Sequence, residues 1–409
     1  MLCARGVRAF ADGLISVLLP VYLLSLGFDA LQIGSVATAT LLGSAALTLL
    51  VGFVAYRFRL RRLLLNAALL MAVTGLSFSL VHDYWPLLVV AFIGTLNPSS
   101  GDVSVFLPLE QSVLPRLVSA RERTALFARY SLIGSLLGAL GALCAAVPDL
   151  IAAHTGLPRV TALQGMFLLY GVVGLVAMAL YSRLSPRLED EHRGRAALKE
   201  SRSIVYTLAT LFSLDSFGGG LVVQSLLAFW LFQRFELSVA TAGTIFFWSG
   251  LLSAGSVLVA ARLAKRIGLV NTMVFTHLPA NVLLILVPFM PNLPLAITLL
   301  LARSALSQMD VPVRNSYVMA VVPPAERPAA ASVTAVPRSL ATAAGPLVSG
   351  YLLGLSAFGW PLVIAGVLKG TYDLLLLALF SRIPPPEETP YHRSGGEPAA
   401  ELRSAKDAT

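Results

Sequence analysis

The chain of 409 residues is 56% hydrophobic and only 12% charged, with a mean hydropathy of +0.79. Ordinary soluble domains carry about 25% charged residues, so this composition excludes an ordinary soluble domain. Apolar runs long enough to cross a bilayer core of about 30 Å recur along nearly the whole length. We therefore interpret the chain as a polytopic, all-α membrane protein.

The formal net charge of +9 arises from 30 Lys and Arg against 21 Asp and Glu. If both termini are cytoplasmic, most of these basic residues fall in cytoplasmic segments, as the positive-inside rule requires. We therefore predict a multi-pass protein of the cytoplasmic (cell) membrane with both termini inside the cell. The net positive charge is explained by basic residues that set the topology and face anionic lipid. Nucleic acid is therefore not an expected partner. Cys3 and Cys144 are too few for a disulfide framework or a metal site.

The first six predicted spans form an N-terminal bundle over residues 1–182. The first apolar run follows Arg5 and Arg8, as a signal peptide would, but it contains Asp12 and leads into a second span, so we interpret it as a retained helix. The predicted spans are residues 6–27, 30–56, 62–82, 86–115, 122–148 and 160–182.

A charged connection at residues 183–203 is predicted to be a cytoplasmic linker to a second bundle over residues 204–382. The tail at residues 383–409 is rich in Pro, Gly and Glu and is predicted to be disordered. The spans of the second bundle are predicted at residues 204–232, 238–265, 270–290, 294–322, 326–355 and 358–382.

The two halves also match each other in sequence. Such an ordered series of matches at a nearly constant spacing indicates two related six-helix units. The matches are Asp12 with Asp215, Gly34 with Gly243, Glu110 with Arg314, Glu122 with Glu326 and Gly141 with Gly345.

Twelve spans, internal termini, a charged central connection and two related halves resemble the major facilitator superfamily. A diagnostic loop motif of that family follows its second helix, and a second copy follows the eighth. In the first copy here, Tyr56 replaces the acid of the motif and Arg59 replaces a glycine. The matching positions are Gly52, Arg57, Arg61 and Arg62 in GFVAYRFRLRR, and Arg266 and Gly268 in ARLAKRIG.

This resemblance implies an all-α membrane protein whose twelve transmembrane helices form two pseudo-symmetric six-helix bundles. It implies a secondary transporter that works by alternating access, with a small-molecule substrate and protons as partners, the lipid bilayer as surroundings and no cofactor. A monomer is expected. The phrases MDVPVRNSYVMAVVPPAER and LDSFGGGLVVQSLLAFWLF also resemble a bacterial and archaeal branch of the family.

Charged side chains inside the spans are the main functional candidates, because an unpaired charge at mid-depth costs at least roughly 2.5 to 3.5 kcal/mol. Acids and bases are nearly balanced there, which indicates that most of them are paired. They are Asp12, Asp102, Glu110, Asp215, Asp310 and Asp373 among the acids, and Arg129, Arg303, Arg314, Arg338 and Lys369 among the bases.

Two roles are open for these charges. One group fits a structural or gating ion-pair network, in which Glu110 and Arg314 are predicted to form a salt bridge between the halves, and Asp310 and Arg314 share a helical face. The other group fits a cavity that binds the solute or transfers protons. The first group is Asp102, Glu110, Arg129, Arg314 and Arg338; the second is Asp12, Asp215, Arg303, Asp310 and Gln224.

Five positions are candidate hinges. Gly218, Gly219 and Gly220 should each weaken a helix by about 1 kcal/mol relative to Ala, and they fit either close packing or a flexible gate. Gly345 and Pro346 resemble a Gly–Pro pattern of drug antiporters, although the antiporters carry it in the fifth helix, and this similarity favours export.

His82 and His277 are isolated histidines without metal-ligand spacing, so they are expected to be structural. The absence of a Walker-type loop, a zinc motif and a nucleophile elbow argues against an ATP-driven pump and against most hydrolases. We therefore do not expect an enzyme.

The sequence predicts a secondary active transporter, and the first choice is proton-coupled export (efflux) of an amphipathic or drug-like compound. One alternative is uptake of a small organic anion, for which Arg303 and Arg338 would supply positive charge. Another is a membrane sensor, or a membrane-embedded enzyme, that has lost transport.

Overall fold

A computed structural model describes residues 1–54, 59–99, 104–114, 123–184, 201–323 and 326–380. Arg57, Asp102, most of the central linker and the C-terminal tail lie outside the described residues. The remainder forms helices joined by short turns.

The first half breaks its fourth predicted span into two helices. That span was expected to be continuous over residues 86–115, but α4 ends at Ile93 and α5 begins at Phe106. Gly94 is extended, and Pro98 disfavours a helical conformation at the residue before it. The helices are α1 (Leu2–Ser25), α2 (Ala30–Val54), α3 (Leu60–Leu80), α4 (Tyr84–Ile93), α5 (Phe106–Val113), α6 (Arg123–Leu143), α7 (Val147–Thr155) and α8 (Arg159–Ser182).

The second half contains two further interruptions that the sequence did not predict. The span at 204–232 breaks at Val222 after three glycines, and the span at 294–322 breaks shortly before Pro312. The helices are α9 (Arg202–Leu221), α10 (Gln224–Phe235), α11 (Val239–Ile267), α12 (Leu269–Leu286), α13 (Leu293–Ser304), α14 (Asp310–Val321), α15 (Arg327–Leu355) and α16 (Trp360–Phe380).

Within the described residues, nine helical segments are long and apolar enough to cross a membrane. The other three predicted spans are the broken pairs α4–α5 and α13–α14, and α15, which carries Arg338. The helix starts repeat between halves: Phe106 corresponds to Asp310, and Arg123 to Arg327. The protein is thus an all-α membrane protein of twelve transmembrane helices in two pseudo-symmetric six-helix bundles.

The two halves touch through closely packed helices. A Cβ atom built on Gly34 would lie 2.5 Å from the carbonyl oxygen of Pro346, and one built on Gly243 would lie 2.5 Å from that of Ala142. The side-chain amide of Gln224 also donates to the hydroxyl of Ser16 at 3.0 Å. We call the face where α1 starts and α16 ends the terminus side and the opposite face the far side. These contacts lie in the far-side half of the bundle.

Two candidate hinge glycines are used for packing in this conformation. A Cβ on Gly220 would lie 2.2 Å from the carbonyl oxygen of Thr342, and one on Gly345 would lie 2.3 Å from the carbonyl carbon of Gly220. Helices α9 and α15 therefore meet backbone to backbone. Gly219 is placed differently, because its Cβ position is 3.9 Å from Lys369 Nζ. The hinge role of these glycines remains a prediction.

Gly34→Ala should open the far side. The added methyl group cannot fit between α2 and α15 while the halves are closed, and overpacking of about 1 to 3 kcal/mol shifts a two-state population by roughly five- to hundredfold. With Cys3 and Cys144 replaced by Ser, a cysteine introduced at Leu227 should react correspondingly faster with a membrane-impermeant maleimide added on the far side.

The matched control is Gly354→Ala in the same helix pair, where the new Cβ would meet Ala30 at an ordinary 3.7 Å. Equal labelling rates in Gly34→Ala and Gly354→Ala would show that this packing does not hold the far side closed.

Candidate functional site

A cavity of about 450 Å³ lies between the two halves, on the terminus side of the close glycine contacts. Its wall contains all five residues that the sequence predicted for a cavity, which are Asp12, Asp215, Gln224, Arg303 and Asp310. Gln224 reaches the same space as Asp215 because the helix that joins them breaks at Val222.

Interrupted helices bring backbone and small polar side chains to this cavity. The break between α13 and α14 contributes Ser307 and Gln308. The break between α4 and α5 meets the break between α9 and α10, where the N–H of Ser225 donates to the carbonyl of Pro98 at 3.0 Å. Irregular backbone at membrane depth is tolerated where it lines a cavity or is buried in protein.

Asp215 is the centre of an ion cluster in the second half. Its Oδ1 is 2.5 Å from Lys369 Nζ, and its Oδ2 accepts a hydrogen bond from Arg314 Nη1 at 3.0 Å. The same Nη1 lies 3.5 Å from Asp310 Oδ2, so the predicted Asp310–Arg314 pair is present. All four side chains line the cavity. One carboxylate thus joins three helices, α9, α14 and α16.

A histidine extends this cluster behind Asp215. The Nδ1–H of His277 donates to Asp373 Oδ1 at 2.9 Å, and the amide of Asn281 donates to Asp373 Oδ2 at 2.8 Å. His277 Nε2 faces Asp215 Oδ1 at 3.8 Å. His277 was expected to be an isolated structural residue, and the structure instead gives it two acidic neighbours from other helices.

The available signal for this cluster was the spacing of Lys369 and Asp373, which lie one turn apart on α16. Both are charges inside a predicted span, but His277, the partner of Asp373, comes from α12, and Asp215, the partner of Lys369, comes from α9. No local pattern connects these helices.

Two further arginines carry positive charge near Asp215. Arg303 lines the cavity, and its Nε atom is buried without a hydrogen-bond partner among the described residues. Arg338 donates from Nε to the hydroxyl of Ser216 at 3.3 Å. In the membrane interior of the second half, four cations (Arg303, Arg314, Arg338 and Lys369) therefore face three acids (Asp215, Asp310 and Asp373).

Glu110 forms a separate and fully buried cluster in the first half. Arg8 and Tyr130 bind its Oε2, while the hydroxyl of Tyr181 donates to Oε1 at 2.5 Å. The predicted Glu110–Arg314 salt bridge is therefore not formed in this structure, because each side chain binds partners of its own half. Arg129 is exposed and makes no ion pair with the described residues.

The described residues of the loop motif lie at helix ends on the terminus side. Gly52 is near the end of α2, and Arg61 donates to the carbonyl of Ser182 at 2.5 Å, which ties α3 to α8. Gly268 has φ +87° in the turn between α11 and α12. Arg62 and Arg266 are exposed.

Helix pairs broken around a polar cavity between two pseudo-symmetric bundles are typical of secondary transporters. The family model described as Major Facilitator Superfamily matches residues 1–308 and 208–407 of the chain. The chain belongs to the major facilitator superfamily, and the family prediction is confirmed. It is a multi-pass membrane transporter by family and fold.

Similar proteins cover nearly the whole chain. An uncharacterized membrane protein of Saccharomyces cerevisiae, YJR124C, is 26% identical over 91% of this chain and 92% of its own length. The nucleoside transporter NupG has a TM-score of 0.72 at 14% identity, covering 93% of this chain and 99% of its own. The human organic anion transporter MFSD10 has a TM-score of 0.64 at 19% identity, covering 92% and 97%. At such identities the solved structures establish the fold alone.

Arg8→Met should destabilise the protein strongly, because it leaves Glu110 charged and buried without its cationic partner. Breaking a buried pair on one side costs about 3 to 5 kcal/mol. The apparent unfolding temperature in detergent should fall markedly, and the double variant Arg8→Met with Glu110→Leu should recover part of the loss.

Arg159→Met is the matched control, since its pair with Asp149 is exposed and worth about 0 to 1 kcal/mol. If Arg8→Met and Arg159→Met lower the unfolding temperature equally, the Glu110 cluster does not stabilise the first half.

Proposed function

We propose that this protein is a secondary active transporter that moves a small polar organic anion by alternating access, coupled to protons. The observation that carries this proposal is Arg303, whose guanidinium lines the cavity between the halves with a buried Nε that has no hydrogen-bond partner among the described residues. An anionic solute in the cavity would supply the counter-charge that this guanidinium lacks among the described residues. Arg is well suited to this task because its planar group binds carboxylate or phosphate with paired hydrogen bonds.

The chemistry of the cavity wall favours the anion over the amphipathic compound that was the first choice from sequence. Its residues are mainly charged, hydroxylic or small, and Phe246 is the one Phe, Tyr or Trp among the described lining residues. Sites for apolar, drug-sized ligands are lined predominantly by hydrophobic and aromatic side chains. Ser307 and Gln308 lie close in sequence to Arg303 and line the same cavity, where they would bind the polar remainder of the solute.

The names of the structurally similar transporters do not identify the substrate of this chain. A nucleoside transporter and an organic anion transporter share this fold with the chain at less than a fifth identity. Function on a common fold is decided by the site. The excess of cations over acids in the second half therefore supports an anion more directly than the likeness to MFSD10 does.

We further propose that the terminus side faces the cytoplasm, as the distribution of Lys and Arg indicates. The described contacts between the halves lie toward the far side, so this conformation would then be the inward-facing one. The breaks at Val222 and between Ser304 and Asp310 are the places where half-helices can tilt as the cavity changes sides.

Arg303→Gln should abolish selection for anions. Losing a hydrogen bond to a charged group costs about 1.5 to 3 kcal/mol, which weakens binding by roughly ten- to hundredfold. Purified wild-type protein should be stabilised against heat by at least one of acetate, lactate, succinate or glycerol phosphate, and not by the neutral analogues acetamide, succinamide and glycerol. The same anion should exchange across proteoliposomes.

The matched control is Arg262→Gln, at an exposed position on α11 outside the cavity, which should bind and transport like the wild type. Stabilisation by tetraphenylphosphonium and by none of the anions would contradict the anion proposal and favour an amphipathic cargo. Binding of an anion that never crosses the membrane under any gradient would favour a sensor.

A further inference from the structure

We propose that His277 is the proton-binding group of this transporter, and that a proton on its Nε2 atom and the anionic solute bind together. This inference rests on the proposed function, which it deepens by assigning the coupling site. The residues involved are His277, Asp215 and Lys369 in the cavity wall, and Asp373 behind it.

The hydrogen bonds of His277 leave one ring nitrogen without a proton. Asp373 Oδ2 accepts from the amide of Asn281, and Asp373 Oδ1 accepts from His277 Nδ1, so Nδ1 carries the hydrogen of the neutral ring. The tautomer is set by this bond, as is usual for histidine. Nε2 then presents a lone pair toward Asp215 Oδ1 at 3.8 Å, a separation longer than a hydrogen bond.

A proton added at Nε2 would lie between two groups that can share it. The step forms one N–H bond on the ring with a proton that hydronium delivers from bulk solution through the water of the cavity, which leaves a neutral water molecule. It turns His277 into a cation that faces two carboxylates. His277 lines the cavity, so water can reach it, although only 4% of its surface is exposed. The same proton can leave to water once the cavity faces the other side.

Protonation of His277 would change the partner of Asp215. Oδ1 of Asp215 is bound by Lys369 Nζ at 2.5 Å and faces His277 Nε2. A cationic ring competes with the ammonium group for this oxygen and weakens its hold on Lys369, whose side chain already lines the cavity. Lys369 then becomes available to an anion beside Arg303.

The charged groups near His277 and on the helices around the cavity favour this linkage. Asp215, Asp373 and Tyr372 lie next to the ring. Lys369 on α16, Asp310 and Arg314 on α14, and Arg303 on α13 line the same cavity. The charges of α11 are Arg262, Lys265 and Arg266 near its terminus-side end. A proton on His277 adds one positive charge to the cation-rich wall, and an anion neutralises it. Proton and anion therefore raise each other's affinity by the same factor.

Co-binding of this kind produces symport. The empty carrier returns without a proton, while the loaded carrier holds a proton and an anion together. An inward proton gradient would then drive uptake of the anion, rather than the export that the Gly345–Pro346 pattern suggested.

The test measures binding and proton uptake with the anion of the acetate, lactate, succinate and glycerol phosphate panel that stabilises the wild type most. In the wild type, its affinity should rise by up to about tenfold per unit fall in pH between pH 8 and 5, the slope for one linked proton. Calorimetry in buffers of different ionisation enthalpy should show proton uptake on binding. In His277→Gln the affinity should lose this pH dependence, whereas His154→Gln, at an exposed site, should keep it.

A second measurement uses the variant only to assign a signal. In histidine side-chain ¹⁵N spectra of the wild type, the signal that disappears in His277→Gln should show the Nδ1–H tautomer without the anion, and the anion should increase its imidazolium fraction. An anion that binds without proton uptake, or a His277 signal that never changes, would overturn this inference and leave the anion transporter standing. A protein that binds none of the four anions would overturn both proposals.

Discussion

The carboxylate of Asp215 is the interaction on which the second half depends. Lys369 and Arg314 reach it from two other helices, and His277 faces it from a third. These side chains are largely buried in the membrane interior, so each charge is stabilised mainly by the others. The helices α9, α12, α14 and α16 are thereby held around one point, and that point is on the wall of the cavity. The side chains that stabilise this half are therefore also among those that we propose bind the solute.

The two halves use one fold for different purposes. In the first half, Glu110 is enclosed by Arg8, Tyr130 and Tyr181, and all three donate to it, so the cluster is complete without any ligand. In the second half, the Nε of Arg303 is left without a hydrogen-bond partner among the described residues, and Lys369 is shared with the cavity. Sequence matches across the repeat, such as Glu110 with Arg314, therefore mark equivalent places in the fold and do not mark equivalent chemistry.

Hydropathy predicted the approximate positions of the spans, and a charge in an apolar run is costly wherever it lies and is retained mainly at a functional or paired site. The charges found in this way include Asp12, Asp215, Arg303 and Asp310, which line the cavity, and their role there stays a prediction. The interruptions at Ile93, Val222 and Ser304 were missed, because a broken transmembrane helix depends on tertiary partners such as the Ser225–Pro98 hydrogen bond. Ion pairing was predicted correctly only within one helix, for Asp310 and Arg314. The pairs of Glu110 and His277 join residues far apart in sequence, which local spacing cannot reveal.

The way the halves meet is suited to repeated opening. The ion pairs of Glu110 and Asp215 each stay inside one half, whereas the far-side contacts consist of glycine packing, as between α2 and α15, and single neutral hydrogen bonds such as Gln224 to Ser16. Neutral hydrogen bonds contribute about 0.5 to 1.5 kcal/mol each, so little free energy is lost when such an interface separates. If buried ion pairs joined the two halves, each charge would need a new partner every time the halves separate. When the charges stay inside one bundle, that bundle can rock as a unit, and only the proposed anionic solute and proton would bind and leave.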